Sequence, residues 1–354
     1  MISIQALVVP FLISLILTPI IKKISVPAEA YAKENERTVH HGKISRIGGM
    51  AIYLAFMITM SLFMKADKAI FGMMIGGSIM FFAGFIDDLI DMKPLMKLAL
   101  EVVAAIVLIY YGVCVDVIRL PFGINIDVPA ISVGFTILWI AGITNAVNLI
   151  DGLDGLAGGM SVVILVVTGS LAIIERRFDT VNMAYILAMA TFGFLIYNAH
   201  PASIFMGDCG SLFLGFMISA ISVVGFKSST ILTLALPTLL LMLPIIDTVS
   251  AILRRTLKGK KFLEADKNHL HHLLMRQFGH GNTVIIMCGI TALFGLSAYV
   301  YMINNEIGFI VMLTILIGVE LFIEKSAMIS SKFHPLLSIY HRILKKCKKV
   351  MRRK

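Results

Sequence analysis

Charged side chains are scarce in this sequence. Lys, Arg, Asp and Glu make up 15% of its 354 residues, against about 25% in a soluble domain. With 58% hydrophobic residues, that shortage excludes an ordinary soluble enzyme and leaves no room for a sizeable soluble domain. Cysteine is scarce too. Cys114, Cys209, Cys288 and Cys347 are scattered and form no C-x-x-C, so neither a disulfide framework nor a cysteine zinc site is expected. The first apolar run, Ile2 to Ile21, lacks a basic n-region and a small-residue cleavage site. It reads as a retained first span, not a removed signal peptide. Acids are the minority among the charges, 21 against 31 Lys and Arg. The resulting net charge of +10 does not call for a nucleic-acid partner, because membrane topology accounts for it.

What the sequence has in place of charge is repeated apolar runs near the roughly 20 residues that cross hydrocarbon. Eleven spans are expected, at about 2–21, 47–64, 69–86, 95–112, 131–149, 158–175, 181–198, 209–226, 231–251, 283–302 and 307–324. The fold class is therefore all-α, a polytopic helical membrane protein. Residues 1–325 would form one integral membrane catalytic domain and 326–354 a basic cytoplasmic tail that anchors to anionic lipid. Of the 31 Lys and Arg, all but Lys65, Lys68, Arg119, Arg176, Arg177 and Lys227 fall in connections on one side. The positive-inside rule makes that side cytoplasmic. The N-terminus is then external and the C-terminus cytoplasmic, in a bacterial plasma membrane. The external connection 113–130 alternates apolar and polar residues around Pro121-Phe122-Gly123, which predicts a short external β-hairpin.

Topology drawn from basic residues alone puts six aspartates at the cytoplasmic face: Asp87, Asp88 and Asp91 in GFIDDLID, Asp151 and Asp154 in NLIDGLDGL, and Asp208 in FMGDCGS. Carboxylates near hydrocarbon are costly, and several at one edge point to a bound cation, or to phosphate held through one. If helix continues past Ile86, Asp87 and Asp91 lie at i and i+4. Their mutual repulsion needs a cation or proton, although a solvated helix end with Lys93 and Lys97 as counter-charges would also fit. Asn145, Asn148, Asp151 and Asp154 recur every three residues, one stripe on a helix, and amide and carboxylate oxygens without thiolate suit Mg²⁺ or Mn²⁺. Asp208 stands at the start of a span, where capping is the plainer role. Asn198 ends the span before it, and Phe205 could stack on a base. The long loop 252–282 carries Arg254, a planar donor suited to phosphate or sugar, and His269, His271 and His272 in HLHH. The histidines lack the companion ligands of a zinc site.

Together VHHGKISRIGG, GFIDDLID, NAVNLIDGLDGLAGG, FMGDCGS, LPIIDT and ADKNHLHHL resemble the polyprenyl-phosphate N-acetylhexosamine-1-phosphate transferases, glycosyltransferase family 4. The HLHH loop looks like the branch that uses UDP-N-acetylglucosamine (UDP-GlcNAc). The phospho-N-acetylmuramoyl-pentapeptide branch has an uninterrupted triple histidine there. The resemblance implies transfer of N-acetylglucosamine 1-phosphate from UDP-GlcNAc to undecaprenyl phosphate. Products would be undecaprenyl-diphospho-GlcNAc and UMP, the first membrane step of a cell-envelope polymer such as teichoic acid or O-antigen. It also implies Mg²⁺, with Mn²⁺ as substitute, and a homodimer. By the same resemblance Asn148 and Asp208 match metal ligands, and Asp87, Asp88 and Asp151 match catalytic residues. Asp154, Asn198 and Phe205 match the nucleoside side; Arg254, His269, His271 and His272 match the sugar and diphosphate side. The first loop departs from the family pattern, with Ala32, Glu34 and Thr38 where an acid, a proline and a second basic residue are common.

Readings from other classes are weaker. A cation-coupled transporter would place ionisable groups near the midplane on broken helices. A scaffold would not need the Asn/Asp stripe. A membrane phosphatase would use the same metal ligands but pass phosphate to water.

Overall fold

The computed structural model describes residues 3–25, 44–65, 67–115, 118–119, 125–126, 128–226 and 270–325. Among them are eleven helices. These are α1 (Ile4–Ile24), α2 (Gly49–Phe63), α3 (Lys68–Ile90), α4 (Pro94–Tyr110), α5 (Pro129–Ile150) and α6 (Leu156–Ile174). There follow α7 (Phe178–Asn198), α8 (Gly207–Phe226), α9 (Leu270–Phe278), α10 (His280–Ile303) and α11 (Asn305–Lys325).

Seven of them, α1, α3, α5, α6, α7, α8 and α10, are long and apolar enough to cross a membrane. In a bilayer every backbone polar group must be satisfied within its own segment, which selects helices for such runs. Exposed side chains such as Ile4, Leu12, Ile16, Phe82 and Leu138 are then in contact with lipid. The remaining expected spans are the shorter α2 and α4, the 21-residue α11, and 231–251, which lies outside the described residues. The tail 326–354 lies outside them too.

Two expectations change. The alternation over 113–130 does not make a hairpin of that extent. Ile118–Arg119 (β1) and Asn125–Ile126 (β2) pair antiparallel, Ile118 opposite Ile126 and Arg119 opposite Asn125. Val113 and Val115 instead bury themselves at the end of α4, so their apolar character serves helix packing. The loop 252–282 ends in a short helix, α9, whose Leu274 packs with Leu153 and Leu156 of the α5–α6 turn and with Met287 and Phe294 of α10.

Helix α8 is the hub, buried along nearly all of its length. It packs on α3, α5 and α2. Close approach requires a missing side chain: a Cβ at Gly84 of α3 would lie 2.2 Å from the Asp208 carbonyl oxygen. Small residues at such crossings let membrane helices meet backbone to backbone. The C-terminus of α3 is thereby pressed against the N-terminus of α8. The end of α5 and the start of α4 complete the same corner.

Candidate active site

The corner where α3, α4, α5 and α8 meet gathers Asp87, Asp88, Lys97, Asn148, Asp151 and Asp208. Its frame is a clasp. The first N–H groups of a helix have no partner within the helix. At α8, Asp88 reaches across from α3 and accepts the N–H of Asp208 at Oδ1 and of Cys209 at Oδ2, each 2.9 Å. The capping expected of Asp208 is thus supplied by Asp88, which leaves the Asp208 carboxylate for other work. The turn before it is tight. Gly207 has φ +72°, and a Cβ there would lie 1.8 Å from the Arg46 carbonyl oxygen.

Lys97, near the start of α4, bridges two carboxylates. Its Nζ lies 2.6 Å from Asp87 Oδ2 and 2.6 Å from Asp208 Oδ2. Asp87 Oδ1 accepts the N–H of Met92 at 2.6 Å, which fixes the carboxylate against its own helix end. Asn148 on α5 donates from Nδ2 to Ser211 Oγ at 2.8 Å, and its amide also reaches Asp208. Asp151 caps α5 just outside the span. Burial, then the charges of Asp208 and Asp88, push its carboxyl up to about 8, while Arg46 pulls the other way. Asp91, expected on the same helical face as Asp87, is turned off it. It is exposed, in the left-handed region at φ 52°, as the C-cap of α3.

A second cluster surrounds Asp154, which is buried. Its Oδ2 accepts the N–H of Ala202 at 3.1 Å and lies 2.9 Å from His200 Nδ1. Its carbonyl oxygen lies 3.2 Å from His280 Nε2 at the start of α10. The His200 and His280 rings stack at 4.0 Å and 17°. Asn198 is a brace: Oδ1 accepts the Gly155 N–H at 3.1 Å and Nδ2 donates to the Ile204 carbonyl at 3.0 Å. Each end of that amide holds one backbone group, which fixes its orientation beside Asp154. Phe205 is half-buried, and its backbone pairs with Ser45 and Gly48. Arg254 and His269 lie outside the described residues. His271 and His272 fall on α9, but their side chains also lie outside them.

His200 and His280 had no place in the sequence reading, and Lys97 figured there only as a counter-charge to the aspartates. Lys97 had a signal, since it follows an acidic motif that needs a counter-charge. The stacking of His200 on His280, 80 positions apart, had none.

The oxygens of Asp87, Asp208 and Asn148, with no thiolate among them, suit a hard divalent cation. An ammonium bridging the two carboxylates marks a place where positive charge belongs, so the residues fit Mg²⁺. The carboxylate and two imidazoles at Asp154, whose ligand atoms all lie within 4.8 Å of one another, suit a transition metal better than Mg²⁺.

A carboxylate cluster bridged by one lysine, at the ends of apolar helices, is the arrangement of a membrane enzyme that works through a bound cation. Comparison with known proteins makes the class specific. The model of "Glycosyl transferase family 4" matches residues 70–226. The chain is 34% identical over 347 residues to a probable undecaprenyl-phosphate N-acetylglucosaminyl 1-phosphate transferase of Bacillus subtilis, covering 96% of this chain and 97% of that one. It is 31% identical over 285 residues to the undecaprenyl-phosphate alpha-N-acetylglucosaminyl 1-phosphate transferase of Thermotoga maritima, covering 80% and 86%. A phospho-N-acetylmuramoyl-pentapeptide-transferase of Caldicellulosiruptor bescii is 31% identical over 327 residues, covering 84% and 96%. The chain belongs to glycosyl transferase family 4 and is a multi-pass membrane phosphotransferase.

Proposed function

We propose that this protein transfers N-acetylglucosamine 1-phosphate from UDP-GlcNAc to undecaprenyl phosphate. A phosphate oxygen of the lipid would attack the sugar-bearing phosphorus, the bond to UMP would break, and UMP would leave. The observation that carries this reading is the corner where Asp87, Asp208, Asn148 and Lys97 converge. Two anions must approach there, and that needs fixed positive charge at the headgroup plane. The near full-length similarity to the Bacillus subtilis protein supports the choice of donor and acceptor.

Asp208 and Asn148 would hold Mg²⁺, which supplies charge neutralisation for the diphosphate and the leaving UMP. Asp87, fixed by the Met92 N–H, is placed to take the proton of a monoanionic lipid phosphate. Asp88 sets the position of Asp208 by holding the start of α8. Asp151, at the end of α5 beside Asp208 and Asp88, would serve with Asp87 and Asp88 as a catalytic acidic residue. Asp154 and Phe205 would border the nucleoside, with Asn198 bracing the turn beneath them. Arg254 and the histidines 269, 271 and 272 would face the sugar and diphosphate. The eleven-span topology has the N-terminus outside and this corner at the cytoplasmic face, next to soluble nucleotide sugars.

The test is release of UMP by the purified enzyme from UDP-GlcNAc. It should require both undecaprenyl phosphate and Mg²⁺. Release without the lipid would make the enzyme a hydrolase. Faster transfer from UDP-N-acetylmuramoyl-pentapeptide at equal concentration would move it to the peptidoglycan branch.

A further inference from the structure

One buried carboxylate belongs to none of the roles above. Glu101, one turn along α4 from Lys97, is 0% exposed. Its Oε2 accepts Asn145 Nδ2 at 2.5 Å. Its Oε1 is buried and has no hydrogen-bond partner. Buried polar atoms are almost always paired, and a carboxylate oxygen left alone at membrane depth is costly. Asn145 cannot supply the second bond, because its other amide hydrogen goes to the Ala141 carbonyl at 2.8 Å.

Four residues earlier lies a cation that the unused lone pairs of Oε1 would suit. Residues at i and i+4 of a helix are neighbours, and Lys97 is the charged group whose field reaches Glu101. The Lys97 ammonium is committed elsewhere, at 2.6 Å from both Asp87 and Asp208. A divalent cation held by Asp208 and Asn148 would compete with the ammonium for the Asp208 oxygen. Ammonium and metal cannot share it: Mg²⁺ sits about 2.0–2.1 Å from its oxygens, and the two positive charges would repel at contact distance.

We infer that Glu101 is a positioning residue, the acceptor to which Lys97 withdraws when a divalent cation binds at Asp208. Lys97 has two stations, one turn apart. At the first it pairs with Asp87 and Asp208 and leaves Oε1 of Glu101 unpaired. With the cation bound it pairs with Oε1 of Glu101. The four-carbon stem of lysine permits the change without moving α4. Glu101 thus lowers the cost of displacing the lysine and raises affinity for the metal without touching it. The Glu101–Asn145 bond keeps the carboxylate in place between the stations.

The inference rests on Asp208 being a metal ligand, and the experiment separates the two. Mg²⁺ binding to the purified full-length protein is measured by titration calorimetry without substrate. Glu101→Gln keeps an acceptor for Asn145 and removes the charge; it should weaken Mg²⁺ binding about tenfold, an ordinary coupling between linked sites. Glu101→Asp, which keeps the charge, should recover part of that loss. Lys97→Met removes the competitor, so it should tighten Mg²⁺ binding, and in that background Glu101→Gln should change it by less than twofold. Unchanged affinity in Glu101→Gln, or weaker binding in Lys97→Met, overturns the inference. If Glu101→Gln does not fold, Lys97→Met and Glu101→Asp still decide. Mg²⁺ binding that survives Asp208→Ala would instead overturn the metal assignment.

Discussion

Asp88→Ala separates a residue that builds the site from one that only reacts in it. Asp88 spends both carboxylate oxygens on the N–H groups of Asp208 and Cys209 at 2.9 Å. Hydrogen bonds to a charged group contribute about 1.5–3 kcal/mol each. Losing both costs about 3–6 kcal/mol, since the two N–H groups are left at a packed helix end without acceptors. For a chain of this size that is a fall of roughly 4–8 °C in the unfolding midpoint. Asp208 would also lose its register against Lys97, so turnover should fall at least a hundredfold, the usual result of a small misplacement. The assay pairs thermal unfolding of purified protein in detergent with UMP release. Asp87→Ala is the control: its partners are Lys97 and the Met92 N–H, so it should abolish turnover with a smaller loss of stability. An Asp88→Ala protein that unfolds at the wild-type temperature but does not turn over would refute the clasp and return Asp88 to a purely chemical role.

Asp208→Ala should abolish Mg²⁺-dependent turnover while the protein remains folded, because the cap of α8 is Asp88; near-normal activity would place the metal elsewhere. Asp151 gives a pH signature. Its folded carboxyl is raised to about 8 from an ordinary 3.8, so the folded protein binds the extra proton, and the metal-free protein loses stability as pH rises from about 4 to 8. Thermal unfolding of wild type against Asp151→Asn, with metal removed, should show a steeper fall in the wild type than in the variant. A slope of opposite sign, or the same slope in both, would count against it. Single cysteines in a background without native cysteines test the topology: position 262 should label from the cytoplasm and position 123 from outside. Labelling of both from one side would end the topological argument.

The helices were legible because a bilayer imposes one rule on every span. A run of 18 or more apolar residues has few alternatives to helix, so α1, α3, α5, α6, α7, α8 and α10 emerge near their expected bounds. The β pair was harder. Alternation in 113–130 resembles a hairpin, but Val113 and Val115 are apolar because they finish the packing of α4. Helix α9 was hidden within a polar loop, since its apolar side is covered by residues of the distant α5–α6 turn and α10.

For the site, composition revealed which oxygens matter, but not how they divide the work. GFIDDLID shows two adjacent aspartates of equal standing. Only the crossing of α3 on α8, permitted by Gly84, turns Asp88 toward two backbone N–H groups and Asp87 toward Lys97. Likewise Asn145 and Asn148 share one helical stripe, yet one faces Glu101 and the other Ser211. Residue type and period identify a polar face. Which neighbour each side chain meets is set by helices far away in sequence, and a catalytic carboxylate differs from a structural one only in whether its lone pairs are already taken.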